Sequence, residues 1–285
     1  MKKFTNYLKL GFILLFSNVV LSQTARVQVI HNSPDAAAEF VDVYLNGTLL
    51  LDNFKFRTAT PFIDAPAGVP IQIDIAPSTS TSVAQSIFNI TPTLTAGETY
   101  VLVANGIVSP TGYAPAQPFG LSVFAQGREV ASNASNTDIL VNHGSTDAPT
   151  VDVVETSVPA GTIINDISFP SFTSSYLELP TANYTLDVRD ATGTVVVATY
   201  AAPLATLALQ GQALTVVASG FLNPANNSNG PAFGLWVALA SGGDLIPLPL
   251  VTPPLPTARV QVIHNSPDAA AEFVDVYLNG ALLLD

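Results

Sequence analysis

Three histidines, His31, His143 and His264, each open the same short pattern. The stretches read HNSPDA, HGSTDA and HNSPDA, so histidine, serine and aspartate recur at i, i+2 and i+4. A further acid follows in a Val-Asp-Val triplet, at Asp42, Asp152 and Asp275. Imidazole with carboxylates suits zinc, and carboxylates with loop carbonyls suit calcium. The candidate metal ligands are therefore His31, Asp35 and Asp42 in the first copy and His143, Asp147 and Asp152 in the second. A Ser–His–Asp nucleophile needs the three groups in hydrogen-bond reach in a fixed order. Here they fall within five residues of one turn, and no Gly-x-Ser-x-Gly elbow accompanies them. That spacing favours local capping over a proton relay, so no catalytic residue is assigned and no enzyme is expected. The competing reading is architectural. Ser33 caps a turn, Pro34 fixes φ, Asp35 accepts from backbone N–H groups two residues on, and His31 bonds a buried carbonyl or carboxylate.

The elements that must position these residues have a period of two. Val27, Val29 and His31 share one face of a strand, and Arg26, Gln28 and Ile30 share the other. Val41–Leu45 alternates likewise, and Asn46-Gly47 after it reads as a type I′ hairpin turn. Short β-branched runs bounded by Gly and Pro continue at 70–75, 99–104, 121–124, 184–189 and 194–198. Twenty-two prolines argue against long helices. The one helical hint is Ser33-Pro34-Asp35 ahead of Ala36-Ala37-Ala38-Glu39, where a turn or so is expected and not a long helix. The fold class expected is all-β, with tandem β-sandwich domains.

Residues 25–52 and 258–285 differ only at Thr48 against Ala281. A weaker repeat lies between them. Arg26–Ala36 aligns with Asp138–Ala148 at an offset of 112, and Phe119-Gly-Leu121 aligns with Phe233-Gly-Leu235 at 114. The layout is a first repeat over 24–136, a second over 137–251, a stiff Pro-rich linker at 252–257, and the start of a third at 258–285. The polar 132–136 boundary is expected to flex. The third repeat offers about three strands, too few for a core of its own. A repeat that restarts and stops in mid-strand reads as part of a longer array. Trp236 matches Ser122 of the first repeat and is expected outward or at an edge, where it could stack on a sugar.

Lys2, Lys3 and Lys9 precede an apolar run from Leu10 to Leu21, a signal peptide over 1–22 with cleavage after Ser22. Without it the chain carries 6 basic and 21 acidic residues, a net charge of −15. Such a chain repels nucleic acid and anionic membrane, and no later stretch is apolar for long enough to span a bilayer. The absence of cysteine excludes thiol catalysis, iron–sulfur clusters and disulfides. An exported chain of this kind must be held by core burial alone.

Arg26-Val-Gln-Val-Ile-His31-Asn-Ser-Pro-Asp35-Ala36, followed by Val41-Asp-Val-Tyr44 and Asn46-Gly47, resembles the opening of the bacterial domain of unknown function 4397 family. The first repeat departs from the family in reading Asp-Ala-Ala-Ala for Asp-Ala-Pro; the second keeps Asp147-Ala-Pro149 but has Asp138 for the arginine. The resemblance implies an immunoglobulin-like or similar β-sandwich, export, and a sorting or anchoring domain further on. It supplies no activity. The function expected is that of a non-enzymatic, secreted or cell-surface protein. Its modules would act as spacer or binding units in adhesion, or in contact with polysaccharide or a cell-surface protein. Two alternatives stand: a calcium- or zinc-dependent ligand-binding module using the His-x-Ser-x-Asp turn, and an accessory region of a secreted enzyme.

Overall fold

The computed structural model describes residues 23–158, 160–252 and 261–284. The signal segment and most of the Pro-rich linker lie outside the described residues. The chain divides into two compact units, Met1–Val251 and Thr252–Asp285.

The larger unit begins with β1 (Thr24–His31), β2 (Phe40–Leu45), β3 (Thr48–Lys55), β4 (Thr58–Ala59), β5 (Ile63–Pro66), β6 (Ile73–Pro77), β7 (Phe88–Ile90), β8 (Thr99–Asn105) and β9 (Gly120–Ala125). One sheet runs β4-β1-β8-β9 with β5 also on β1, and a second runs β3-β2-β6-β7. Ala25, Val27, Leu102, Val41, Val43 and Ile75 are among the side chains buried where these sheets face each other. Asn46 and Gly47 take φ of 49° and 78°, closing the β2–β3 hairpin as a type I′ turn requires.

The same plan follows in β10 (Asn136–His143), β11 (Val151–Glu155), β12 (Gly161–Ile167), β13 (Leu177–Pro180), β14 (Asn183–Asp190), β15 (Val196–Pro203), β16 (Ala213–Ser219) and β17 (Gly234–Leu239). Short strands β18 (Gly243–Asp244) and β19 (Ile246–Pro247) end the unit. The sheets are β13-β10-β16-β17-β19 and β12-β11-β14-β15. The fold is all-β, as the period of two predicts.

Each sandwich is centred on a parallel pair, β1 with β8 and β10 with β16. Parallel pairs are normally covered on both faces, and here the second face of each covers the other. Ile30, Val101 and Val103 pack against Leu140, Ala213 and Val217 in one apolar cluster between the sandwiches. β18 adds to the first sandwich by pairing with β4. Gln28 Nε2 donates to Thr60 O at 2.9 Å and to Leu239 O, across the interface, at 2.8 Å.

The 132–136 boundary therefore does not behave as the flexible joint that its composition suggests. Ala131 N donates to Gly211 O, and Ser132 N to the fully buried Asp138 carboxylate at 2.7 Å. The adjacent residues Arg128 and Glu129 clip both halves. Arg128 pairs with Asp138 and Glu178, and Glu129 accepts a two-point bond from Arg26 at 2.7 and 2.9 Å. Asp138 thus stands where Arg26 stands in the first half, with the charges of the pair exchanged.

In the smaller unit, β20 (Val276–Leu278) and β21 (Ala281–Leu284) form a hairpin after a 3₁₀ turn at Ala269–Ala271. None of its described residues is buried, in keeping with a segment too short to enclose a core.

Because the halves share a core, residues 23–251 should unfold in one transition. Ile30→Ala should lower the stability of both halves together, by about 2–5 kcal/mol. Urea unfolding followed in parallel by Trp236 fluorescence and circular dichroism checks this; two resolved transitions contradict it.

Candidate functional site

The His-x-Ser-x-Asp turn sits where β1 leaves the sandwich, beside the end of β8. His31 lies fully buried against Phe54 and Phe56. Its Nε2–H donates to Ala38 O at 2.7 Å, which fixes Nδ1 as the acceptor facing Ser33 N. Burial pushes the imidazole down to about 4, against a smaller upward pull from the Ala38 carbonyl. Ser33 does not cap the turn; its hydroxyl crosses to Gly106 O at 2.7 Å. The cap is Asp35. Burial works to raise its carboxyl, but five donors outweigh that and hold it below the usual range. They are Ala37 N, Val108 N, Ser109 N, Ser109 Oγ and Tyr113 Oη, at 2.6–3.0 Å.

Corresponding bonds recur in the second half. His143 Nε2–H donates to Pro149 O at 3.0 Å, and Ser145 Oγ to Gly220 O at 2.7 Å. Asp147 accepts from Leu222 N, Asn223 N and Asn227 Nδ2. His143 is likewise lowered by burial. The turn thus laces the end of one strand to the loop after its parallel neighbour. Gly106 and Gly220 are required in that loop. Both have positive φ, and a Cβ would lie 2.2 Å from Pro118 O or 2.3 Å from Ala232 O.

The second acid does not join the turn. Asp42 Oδ1 accepts from Asn53 N at 3.0 Å, and its Oδ2 accepts from Ser80 Oγ at 2.5 Å. Asp152 Oδ1 accepts from Asp166 N at 2.8 Å. Asn53 and Asp166 both take a φ of 53°, at bulges in β3 and β12. Each Val-Asp-Val aspartate therefore holds a hairpin bulge. The convergence of His31 with Asp35 and Asp42, and of His143 with Asp147 and Asp152, is not formed: each acid faces a different neighbour. Among the described residues no three His, Asp or Glu side chains are grouped to hold a metal ion.

In the smaller unit the turn forms from its local bonds alone, with His264 bonded to Ala271 O and Asp268 to Ala270 N.

The polar centre that the motif reading missed lies between the sandwiches. Asn32 Nδ2 bonds Asn105 Oδ1 at 2.9 Å and reaches Gly144 O and Ala218 O at 3.4 and 3.2 Å. Asn105 Nδ2 donates to Asn142 Oδ1 at 3.2 Å. Gly144 is the second half's counterpart of Asn32, and a Cβ there would sit 2.1 Å from Asn32 Nδ2. The two halves are therefore complementary rather than interchangeable. Trp236 is not a free edge aromatic either. It packs against the shared cluster, and the Arg57 guanidinium lies 3.9 Å over its ring. Arg57 also bonds Ser219 Oγ, Ser219 O and Ala232 O, at 3.0–3.3 Å. Burial lowers it to about 10, leaving it charged at neutral pH.

Residues 25–154 match the family model described as Domain of unknown function (DUF4397). No curated protein matches the chain. Two solved structures of streptococcal virulence-factor domains are similar at 10% identity. One is described by alpha-glucan binding and covers 68% of this chain and 92% of its own, with a TM-score of 0.21. The other, family 41 carbohydrate-binding modules described by alpha-glucan recognition, covers 68% and 93%, with a TM-score of 0.22.

Two outcomes follow from this geometry. A neutral buried His31 contributes stability that is complete above pH 6.5 and lost as the pH falls toward about 4. The loss should reach about 2–3 kcal/mol by pH 4.5, and Asp35, lowered in the fold, loses its own contribution at still lower pH. Melting curves of the wild type and of His31→Gln across pH 7.5 to 4 should show the variant with a flatter dependence. Secondly, calcium, zinc or a chelator should leave the melting temperature unchanged, whereas a metal at a hundred times its Kd would add about 2.7 kcal/mol. A rise with either ion would reinstate the metal reading.

Proposed function

We propose that the chain is an exported, non-enzymatic cell-surface protein. Its paired sandwiches serve as a rigid spacer or binding unit in adhesion or polysaccharide contact. One observation carries this reading: the repeated polar motif is spent on the fold's own hydrogen bonds, from His31 to Ala38 O and from Asp35 to five donors. Groups held in this way have no freedom to take up a substrate proton or to open as a nucleophile. The two halves meanwhile share a buried cluster and a charged clip, which suits a part that transmits position and load.

The start of the sequence supports export, with three lysines ahead of an apolar run. Among the described residues no helix is long and apolar enough to cross a membrane. The mature charge of −15 suits a surface that stays soluble and apart from anionic polymers.

Expression of the full chain in an export-competent bacterium, followed by fractionation and N-terminal sequencing, tests the reading. The expected product begins at Gln23 and is removed from intact cells by external protease or found in the medium. A cytoplasmic product that keeps Met1–Ser22 overturns it.

A further inference from the structure

The interface between the sandwiches has two corresponding notches, and they are filled differently. β1 pairs Ile30 with Ala59, and the strand bridge in the second half pairs Asn142 with Phe172. Thr60 and Thr173 make the same bonds to Val29 and Val141. This register sets Phe56-Arg57 opposite Phe169-Pro170. Val103 pairs with Ser122 as Val217 pairs with Trp236, which sets Ser122 opposite Trp236.

In the first notch the Trp236 indole fills the space, and Arg57 covers it while donating to the Ala232 carbonyl. In the second, a serine replaces the indole and a proline replaces the guanidinium. A cleft of about 280 Å³ remains, lined by Asn105, Gln117, Pro118, Ser122, Phe169 and Pro170.

The lining has a definite chemistry. It carries no charged side chain. Asn105 is consumed by the buried asparagine network, and Ser122 Oγ donates to Pro170 O at 2.9 Å, so the floor is rigid. The Pro118 carbonyl corresponds to the Ala232 carbonyl that accepts from Arg57, and it has no donor among the described residues. The Gln117 amide, half exposed, has no partner there either. The Phe169 ring and the proline rings supply flat apolar surface. A matching ligand has an apolar face, hydroxyl donors and acceptors on its rim, and no charge. The volume lies just below the ~300–1,000 Å³ of ordinary ligand pockets, which limits the occupant to about one ring.

We infer that this cleft binds one ring of a neutral saccharide. The flat C–H face of the sugar lies on Phe169 and Pro170, and its hydroxyls bond Gln117 and the Pro118 carbonyl. This rests on the polysaccharide-contact reading above and gives it an address on the molecule.

The test titrates the ¹⁵N-labelled full chain with neutral oligosaccharides of glucose, galactose, mannose or xylose. With at least one series, the Gln117 side-chain amide and the backbone of 117–122 and 169–171 should shift, with a Kd in the range of about 1 mM or tighter. Ser122→Trp, which copies the filled notch, and the surface change Gln117→Ala should each weaken binding at least about tenfold at an unchanged melting temperature. The glutamine variant keeps the test decisive if the tryptophan disturbs packing. Shifts that map elsewhere overturn the cleft assignment and leave polysaccharide contact standing. No shift with any series overturns both. A stronger response to N-acetyl-tryptophanamide or arginine methyl ester than to every sugar overturns the saccharide in favour of a peptide.

Discussion

Burial of the second face of the parallel strand pairs is the constraint on which the rest of the structure depends. A sandwich needs only one face of each sheet covered, yet β1, β8, β10 and β16 have both faces covered. One face closes the core of its own sandwich, and the other closes on the opposite half. A strand buried on both sides cannot tolerate unpaired polar groups, because stranding one costs about 1–3 kcal/mol. Several polar side chains on and beside these strands are therefore tied to partners. Gln28 bridges to Leu239, Asn32 and Asn105 bond each other, and Asp138 meets Arg128. The exchanged charges at Arg26 and Asp138 show the same requirement met in opposite senses.

The turn motif follows from that constraint. Once β1 and β8 are parallel neighbours with both faces covered, their ends must be closed without solvent. The loop after β8 has backbone N–H groups that no strand satisfies. Asp35 accepts two of them, at Val108 and Ser109, while Ser33 occupies the Gly106 carbonyl and His31 closes its own turn. Asp147, Ser145 and His143 do the corresponding work on the loop after β16. The motif resembles a site because polar residues of complementary type are crowded together. It serves as a fastening because each already has its partner.

The same interface makes the two halves structurally unlike. The Asn32–Gly144 pair and the Arg57–Trp236 stack make one half the complement of the other. A single register carries a filled notch on one side and an open cleft on the other. Asymmetry between near-equivalent halves lets a scaffold present a surface without disturbing the core that holds it together.

The sequence by itself determined the strand pattern, the Asn46-Gly47 hairpin and the local turn around each histidine. These depend on neighbours only a few residues apart. The smaller unit shows this directly, forming the His264 turn and the hairpin with no core around them. The apolar runs Tyr100–Ala104 of β8 and Val216–Ala218 of β16 are consistent with two-sided burial, though alternation in β1 suggested a single buried face. Tertiary structure alone decided the rest. Asp35 reaches residues more than seventy positions away, Asp42 turns to a bulge rather than to His31, and Trp236 lies beneath an arginine from the other half. The polar 132–136 boundary is held by contacts that its composition does not show. Such outcomes depend on which surfaces meet, and a period of two specifies the faces of a strand without specifying what covers them.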